Sequence, residues 1–161
     1  MTDAVAEIKW NPEALNALKK LLSDNTAVKI GVLSNGQLHP GDKIGAAGLA
    51  AVHEFGSPSR NIPERSFLRK TAFERSDDYM KWVESQKETI FTAIMSGKLM
   101  TEVLPKFGAK WVGWVLECFD SGGFGRWRPL KPRTILRKGS NAPLIDTGAL
   151  MRSITFEVTD Q

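Results

Sequence analysis

The chain of 161 residues contains one cysteine, two histidines and one tyrosine, and these scarcities exclude several classes of protein. A single cysteine, Cys118, cannot form a disulfide within the chain, which fits a reducing compartment. No run approaches the roughly 18 consecutive apolar residues that a membrane-spanning helix needs. The first ten residues contain no basic segment followed by an apolar core, so the sequence predicts no secretory signal.

The motifs of common catalytic sites are also missing. His53-Glu54 begins like a zinc-protease helix, but Ser57 stands where the second histidine is needed. A zinc site drawn from Cys118, His39 and His53 would use scattered residues, and no glycine-rich phosphate loop or nucleophile elbow is present. We therefore predict a protein that is not an enzyme and binds no metal or cofactor. Two alternatives stay open: Cys118 is a buried helical side chain or a catalytic thiol, and His53-Glu54 is structural or an acid–base pair.

The chain is rich in positive charge at one place, its last quarter. Residues 1–62 carry six basic and six acidic side chains, residues 63–120 carry nine of each, and residues 121–161 carry seven and three. No acid interrupts the basic segment, which holds Arg126, Arg128, Lys131, Arg133, Arg137 and Lys138. Because charge of one sign is concentrated there, the segment indicates an anionic partner surface.

Hydrophobic content of 42% and charged content of 25% are typical of a globular protein, and we predict a single domain over residues 1–161. Apolar residues at helical spacing predict four helices, at 11–23, 44–55, 64–95 and 101–119. A polar stretch at Arg75–Asp78 predicts that the third helix is bent or broken.

Alternating apolar residues predict two strands, at 26–33 and 153–158, each with one buried face. Pro129 and Pro132 favour an extended basic loop, and mobile loops are expected at 35–43 and 121–142. The order of elements predicts an α+β fold in which helices pack on a small antiparallel sheet.

Two segments of the sequence together resemble a known family. The first reads VHEFG at 52–56 and IPERSFLR at 62–69. The second reads WRPLKPRTI at 127–135, continues with Lys138 and PLIDTGAL at 143–150, and ends in Ser153-Ile154. In order and spacing they resemble the virion-morphogenesis and tail-completion proteins of tailed bacteriophages, which are small neck proteins at the head–tail joint.

The resemblance implies a structural virion protein of the neck or tail, assembled in the host cytoplasm, with no catalytic residues to carry over. It implies a homo-oligomeric ring, usually of six subunits. The implied partners are a head-side connector or adaptor protein and a tail terminator or tail tube protein. Non-specific contact with DNA in the channel is a further option, and no membrane is involved.

We expect architectural roles for the first segment and for the turn near the end of the second: His53, Glu54, Phe55, Gly56, Pro63, Arg65, Phe67, Leu68, Asp146, Thr147, Gly148 and Leu150. An arginine at the predicted helix start opposes the helix dipole, so Arg65 should have a carboxylate partner, and Glu54 is the candidate. Asp146-Thr147-Gly148 is predicted to be a turn that positions the final strand.

Partner or subunit contacts are predicted for the basic segment and for its two large apolar residues, Trp127 and Leu130. Two interpretations of Trp127 stay open, because the ring can anchor a subunit contact or cover the core of its own domain. The basic segment can meet an acidic surface of a neighbouring ring, meet DNA phosphates, or remain solvated. The leading hypothesis is head–tail joining or tail completion; the alternatives are a stand-alone basic nucleic-acid-binding module and a hydrolase using His53 and Glu54.

Overall fold

The computed structural model describes residues 26–33, 44–98 and 102–160, together with the single positions Pro12, Asn16 and Lys19. These three positions are helical, in agreement with the helix predicted at 11–23, whose other residues lie outside the described ones. The loop predicted at 35–43 also lies outside them. In the described ranges, no helix has the length and apolar character needed to cross a membrane.

The sheet consists of two antiparallel strands, β1 at Thr26–Gly31 and β2 at Thr155–Asp160. Val28 pairs with Val158 and Ile30 with Phe156, so the two predicted apolar faces lie on the same side of the sheet. Alternation along each strand therefore predicted both strands and their apolar faces, but not their ends: β1 stops at Gly31 rather than at 33, and β2 spans 155–160 rather than 153–158.

Seven α-helices are described: α1 at Ala46–Phe55, α2 at Leu68–Glu74, α3 at Ser76–Ser85, α4 at Lys87–Met95, α5 at Leu104–Asp120, α6 at Pro132–Lys138 and α7 at Ala149–Arg152. A short 3-10 helix at Pro58–Arg60 follows α1. The predicted α+β fold, with helices on a small antiparallel sheet, is confirmed.

The long helix predicted at 64–95 is divided into α2, α3 and α4. The break at Arg75 was predicted, whereas the break at Gln86 was not. The predicted start at Glu64 was also wrong, because residues 63–66 are not helical and α2 begins only at Leu68.

Helix α5 is the central element of the packing. Gly108 lies against the ring of Phe156, and a Cβ atom at this position would collide with that ring, so glycine allows α5 to approach the sheet closely. The other half of α5 enters the hydrophobic core, which consists of Ala50, Phe67, Val115, Cys118, Phe119, Leu150 and Ile154. The core thus joins α1, α5 and α7 to the residues that flank α2 and β2.

Cys118 is fully buried within this core. Burial raises the pKa of its thiol to about 11, so the thiol stays protonated at neutral pH. Of the two interpretations of Cys118, the structure favours a buried helical side chain.

The basic segment is only in part the extended loop that its prolines suggested: residues 128–131 form no helix and Lys131 is extended, with φ −65° and ψ 145°, whereas residues 132–138 form α6. Pro132 occupies the first turn of α6, where the missing N–H costs little, and Gly139 ends the helix with a φ of 71°. Upstream, Trp127 N–H donates to the Gly122 carbonyl at 2.9 Å and closes a turn. Pro132 therefore marks the start of a helix, whereas the prediction from the sequence treated it as a helix breaker.

Candidate binding cleft

The two segments that carry the family resemblance line the same cleft, which has a volume of about 1300 Å³. The first segment contributes residues from His53 to Arg65, and the second contributes residues from Arg128 to Leu150. A hydrogen bond connects them directly, because Arg65 Nη2 donates to the Arg128 carbonyl at 3.1 Å. Residues that are 63 positions apart in sequence therefore build one site.

Glu54, next to His53 in sequence, connects the end of α1 to the start of α2. Its carboxylate accepts hydrogen bonds from Ser66 Oγ at 2.6 Å and from the backbone N–H groups of Phe67, Leu68 and Arg69 at 2.7, 3.0 and 3.0 Å. The first N–H groups of a helix lack partners within the helix, and a carboxylate satisfies them. Burial raises the pKa of Glu54, but the hydrogen bonds from Ser66 and the three backbone groups outweigh it and hold that pKa below its usual value.

Arg65 has a different environment from the one predicted. Glu54 forms its ion pair with Arg69, whose Nε lies 3.1 Å from Glu54 Oε1, and not with Arg65. The prediction was wrong because α2 begins at Leu68, so Arg65 precedes the helix and is part of the cleft lining. Among the described residues no acid pairs with it, and its Nε is buried without a hydrogen-bond partner. Burial and the neighbouring Arg128 lower the pKa of Arg65.

His53 lies beside Arg65, in surroundings that favour its uncharged form. The His53 carbonyl accepts a hydrogen bond from Arg65 N–H at 2.8 Å, and its ring Nδ1 is buried with no partner in the described parts of the chain. Burial lowers the pKa of His53, and the nearby charges of Arg65 and Lys138 lower it further. Since both Glu54 oxygens accept hydrogen bonds from the α2 region, the geometry does not form the acid–base pair considered from the sequence.

The basic segment divides into residues that line the cleft and residues that do not. Arg128, Lys131, Arg137 and Lys138 line it. Lys138 Nζ donates to the Ala142 carbonyl, and burial lowers the pKa of Lys138 although Asp146 opposes this effect.

Two arginines of the same segment lie outside the cleft lining. Arg126 Nε lies 3.5 Å from Glu74, and Arg133 is exposed on α6. The tertiary structure thus separates six cations that looked equivalent in the sequence.

Trp127 belongs to the core of its own chain. Its indole packs edge-on against Phe119, with ring centroids 5.9 Å apart, and its Nε1 donates to the Ser66 carbonyl at 3.1 Å. Gly123 lies so close to the indole that a Cβ atom there would collide with it. Of the two interpretations of Trp127, these contacts favour the one in which it covers the core of its own domain, and its partner-binding role stays a prediction; Leu130 is half-buried and lines the cleft.

The remaining residues of the first motif have architectural positions. Gly56 has a φ of 74°, and a Cβ atom there would lie 2.8 Å from the Glu64 nitrogen, so only glycine fits this exit from α1. Phe55 is exposed beneath the guanidinium of Arg69, Pro63 lines the cleft, and Phe67 and Leu68 pack in or against the core.

The turn of the second motif leads into a helix that was not predicted. Gly148, with a φ of 76°, immediately precedes α7, and Ala149 N–H donates to Thr147 Oγ1 at 3.3 Å. Asp146, Thr147 and Gly148 all line the cleft, while Leu150 fills the core beneath them. The turn therefore shapes the cleft as well as positioning the chain before β2.

Sequence reasoning missed several residues of the lining, among them Leu49, Arg60, Asn61, Thr134 and Leu144. Leu49, Arg60 and Asn61 lie next to the first motif in sequence, and Thr134 and Leu144 lie within the second, so position was the one signal that could have found them. Across the described residues, no three His, Cys, Asp or Glu side chains are grouped to hold a metal ion.

The charge of the cleft is strongly unbalanced. Its described lining contains six cations and two acids: Arg60, Arg65, Arg128, Lys131, Arg137, Lys138, Glu64 and Asp146. Apolar side chains such as Leu49, Leu130 and Leu144 accompany them. The cleft is therefore suited to a ligand that carries both negative charge and apolar surface.

Comparison with known proteins adds no identification of the chain. No protein-family model, curated protein or solved structure matches it.

Proposed function

We propose that this protein is a structural virion component of a tailed bacteriophage, acting in head–tail joining or tail completion as a ring in the neck. The observation that supports the proposal best is the convergence of both motif segments on one cleft. If the motifs served folding alone, their polar residues would have no reason to meet at a surface site. A common cleft gives them one shared role, which is contact with another chain.

The character of the surface also supports assembly. Large apolar side chains are exposed on several helices, including Phe73 on α2, Met80 on α3, Phe91 on α4 and Leu136 on α6. Leu136 is 85% exposed, and its neighbour Arg137 lines the cleft. Apolar residues beside arginine are common at protein–protein interfaces.

A ring in which each subunit contacts the next uses two different, complementary surfaces on every subunit. In this proposal, the basic cleft is one of them. The partners above and below the ring are a head-side connector or adaptor and a tail terminator or tail tube protein.

The test is negative-stain electron microscopy of a lysate from phage that lack this gene. Separate filled heads and finished tails place the protein at the joint, whereas overlong or unstable tails make it a tail terminator. Complementation with the intact gene should restore joined particles. Intact infectious particles from the deletion would refute the proposal.

The alternative, a stand-alone nucleic-acid-binding module, is favoured by one observation. Five exposed cations lie within a short stretch of the sequence: Arg126, Arg128, Lys131, Arg133 and Arg137. Contacts with phosphates would be independent of base sequence and would weaken steeply with salt. Gel shifts with duplex and single-stranded DNA at low and moderate salt test this alternative, and absence of binding at low salt would exclude it.

A further inference from the structure

Arg65 is a buried cation without a compensating acid. It is 7% exposed, it lines the cleft, and within the described ranges its side chain bonds only to the Arg128 carbonyl. An unpaired buried charge is unfavourable because the protein interior solvates it poorly. An anion that entered the cleft would compensate this charge, so the site is more stable with such a ligand than without it.

The groups around Arg65 strengthen the preference for an anion. Arg128 and Lys138 act on the same region through their charges, and each lines the cleft. His53, which faces Arg65 and Lys138, has a buried and unpartnered Nδ1. Of the acids in the lining, Asp146 acts on one of these groups, Lys138. One carboxylate from outside would therefore meet the buried guanidinium of Arg65 and the exposed side chain of Arg128, with the charge of Lys138 nearby.

Size and lining favour a protein segment over a nucleic acid. A volume of about 1300 Å³ exceeds the roughly 300–1,000 Å³ of ordinary small-molecule pockets, so the cleft has room for several residues of a chain. Single-stranded nucleic acids depend on aromatic side chains for base stacking, and Phe55 is the one Phe, Tyr or Trp in the described lining. The phosphates of a rigid duplex would not reach a guanidinium that is nine-tenths buried.

We infer that the cleft binds an acidic segment of a partner protein, with one carboxylate held by Arg65 and apolar side chains of the segment packed beside Leu130. The proposal that the partner is a neighbouring virion subunit rests on the proposed function. Recognition of an acidic segment does not, because it follows from Arg65 and the lining of the cleft.

Fluorescence anisotropy with the purified full chain tests this inference directly. The probe is a labelled synthetic peptide that combines glutamate pairs with leucine, glycine and serine. Its matched control replaces every glutamate by glutamine, and an oligothymidylate of the same length tests phosphate binding. We expect the acidic peptide to bind and the glutamine peptide and oligothymidylate to bind at least about tenfold more weakly.

Substitutions then locate the binding in the cleft. Arg65→Gln should weaken binding of the acidic peptide by at least about tenfold while leaving thermal stability unchanged or raised, because it removes an unpaired buried charge. Arg128→Gln is a second test that leaves the fold intact, since its side chain is exposed and its carbonyl still accepts the bond from residue 65. Arg133→Gln is the matched control outside the cleft and should change binding by less than about twofold.

Three results would each overturn the inference: no binding of the acidic peptide, equal losses for Arg65→Gln and Arg133→Gln, or tighter binding of oligothymidylate than of peptide. These failures are separate from failure of the proposed function, which the deletion phage reports. A chain that binds acidic peptide but is dispensable for particle assembly would retain the cleft assignment and lose the virion role.

Discussion

Replacing Glu54 by alanine should destabilise the fold, because one carboxylate connects α1 to the start of α2. Three backbone N–H groups, those of Phe67, Leu68 and Arg69, would lose their hydrogen-bond acceptor, and so would the hydroxyl group of Ser66. Leaving a buried donor unpaired costs about 1–3 kcal/mol, whereas the ion pair with Arg69 adds less than about 1 kcal/mol because the Arg69 side chain is 55% exposed. Water can replace part of the lost bonding near the exposed Arg69, so we expect a loss of about 3 kcal/mol.

Thermal unfolding followed by circular dichroism measures this loss. For a chain of this size, about 1 kcal/mol corresponds to about 2–4 °C in Tm, so Glu54→Ala should lower Tm by about 6–12 °C. The matched control is Glu64→Ala, which removes a carboxylate that pairs with the same Arg69 but is 56% exposed. An exposed ion pair contributes less than about 1 kcal/mol, so the control should shift Tm only slightly.

Hydrogen exchange adds a local readout to this comparison. The amides of Phe67, Leu68 and Arg69 should exchange faster in Glu54→Ala than in Glu64→Ala, because their acceptor is gone. Equal stability losses for the two variants, or unchanged protection of these amides, would refute the assignment of Glu54 as the cap of α2.

The remaining predictions concern the core, pH and the basic segment. Trp127→Ala should reduce the free energy of unfolding, measured in guanidinium, by about 3–5 kcal/mol, because the indole packs on Phe119. A stability loss below about 1 kcal/mol together with failed assembly would instead support Trp127 as an interface residue. Because the pKa of His53 is lowered in the folded state, the unfolded chain binds more protons than the folded chain below pH 6.5. The free energy of unfolding should therefore fall as pH decreases below 6.5, and His53→Gln should flatten this pH dependence. Glu54, whose pKa is also lowered, should add a further loss below pH 4.5 that Glu54→Ala abolishes. A variant in which four arginines are replaced by serine should keep its Tm within a few degrees but impair head–tail joining; the four are Arg126, Arg128, Arg133 and Arg137. Normal particles assembled with this variant would contradict the prediction.

The elements that follow from local periodicity were predictable from the sequence. Alternation along 26–33 and 153–158 identified β1, β2 and their apolar faces, and the apolar stripe of 101–119 identified α5. These patterns are strong because one face of each element is buried. Helix boundaries were less predictable, because the start of α2 depends on a carboxylate from α1.

The motif residues of the cleft were recognised in the sequence, but their roles were not. Arg65 was assigned to Glu54, whereas the structure pairs Glu54 with Arg69 and the backbone of α2. Arg65 and Arg69 are separated by only a few positions in sequence, so a pairing of Glu54 with either arginine was geometrically possible. Only the observed helix start decided between them.

By itself, the sequence determined the α+β class, most helices and strands, and the concentration of positive charge in the last quarter of the chain. Composition and spacing suffice for these properties because they depend on neighbours along the chain. The tertiary structure decided that two distant motifs share one cleft, that Trp127 faces the core, and that Arg128 lines the cleft while Arg133 does not. These outcomes depend on contacts between residues far apart in sequence, which no local pattern specifies.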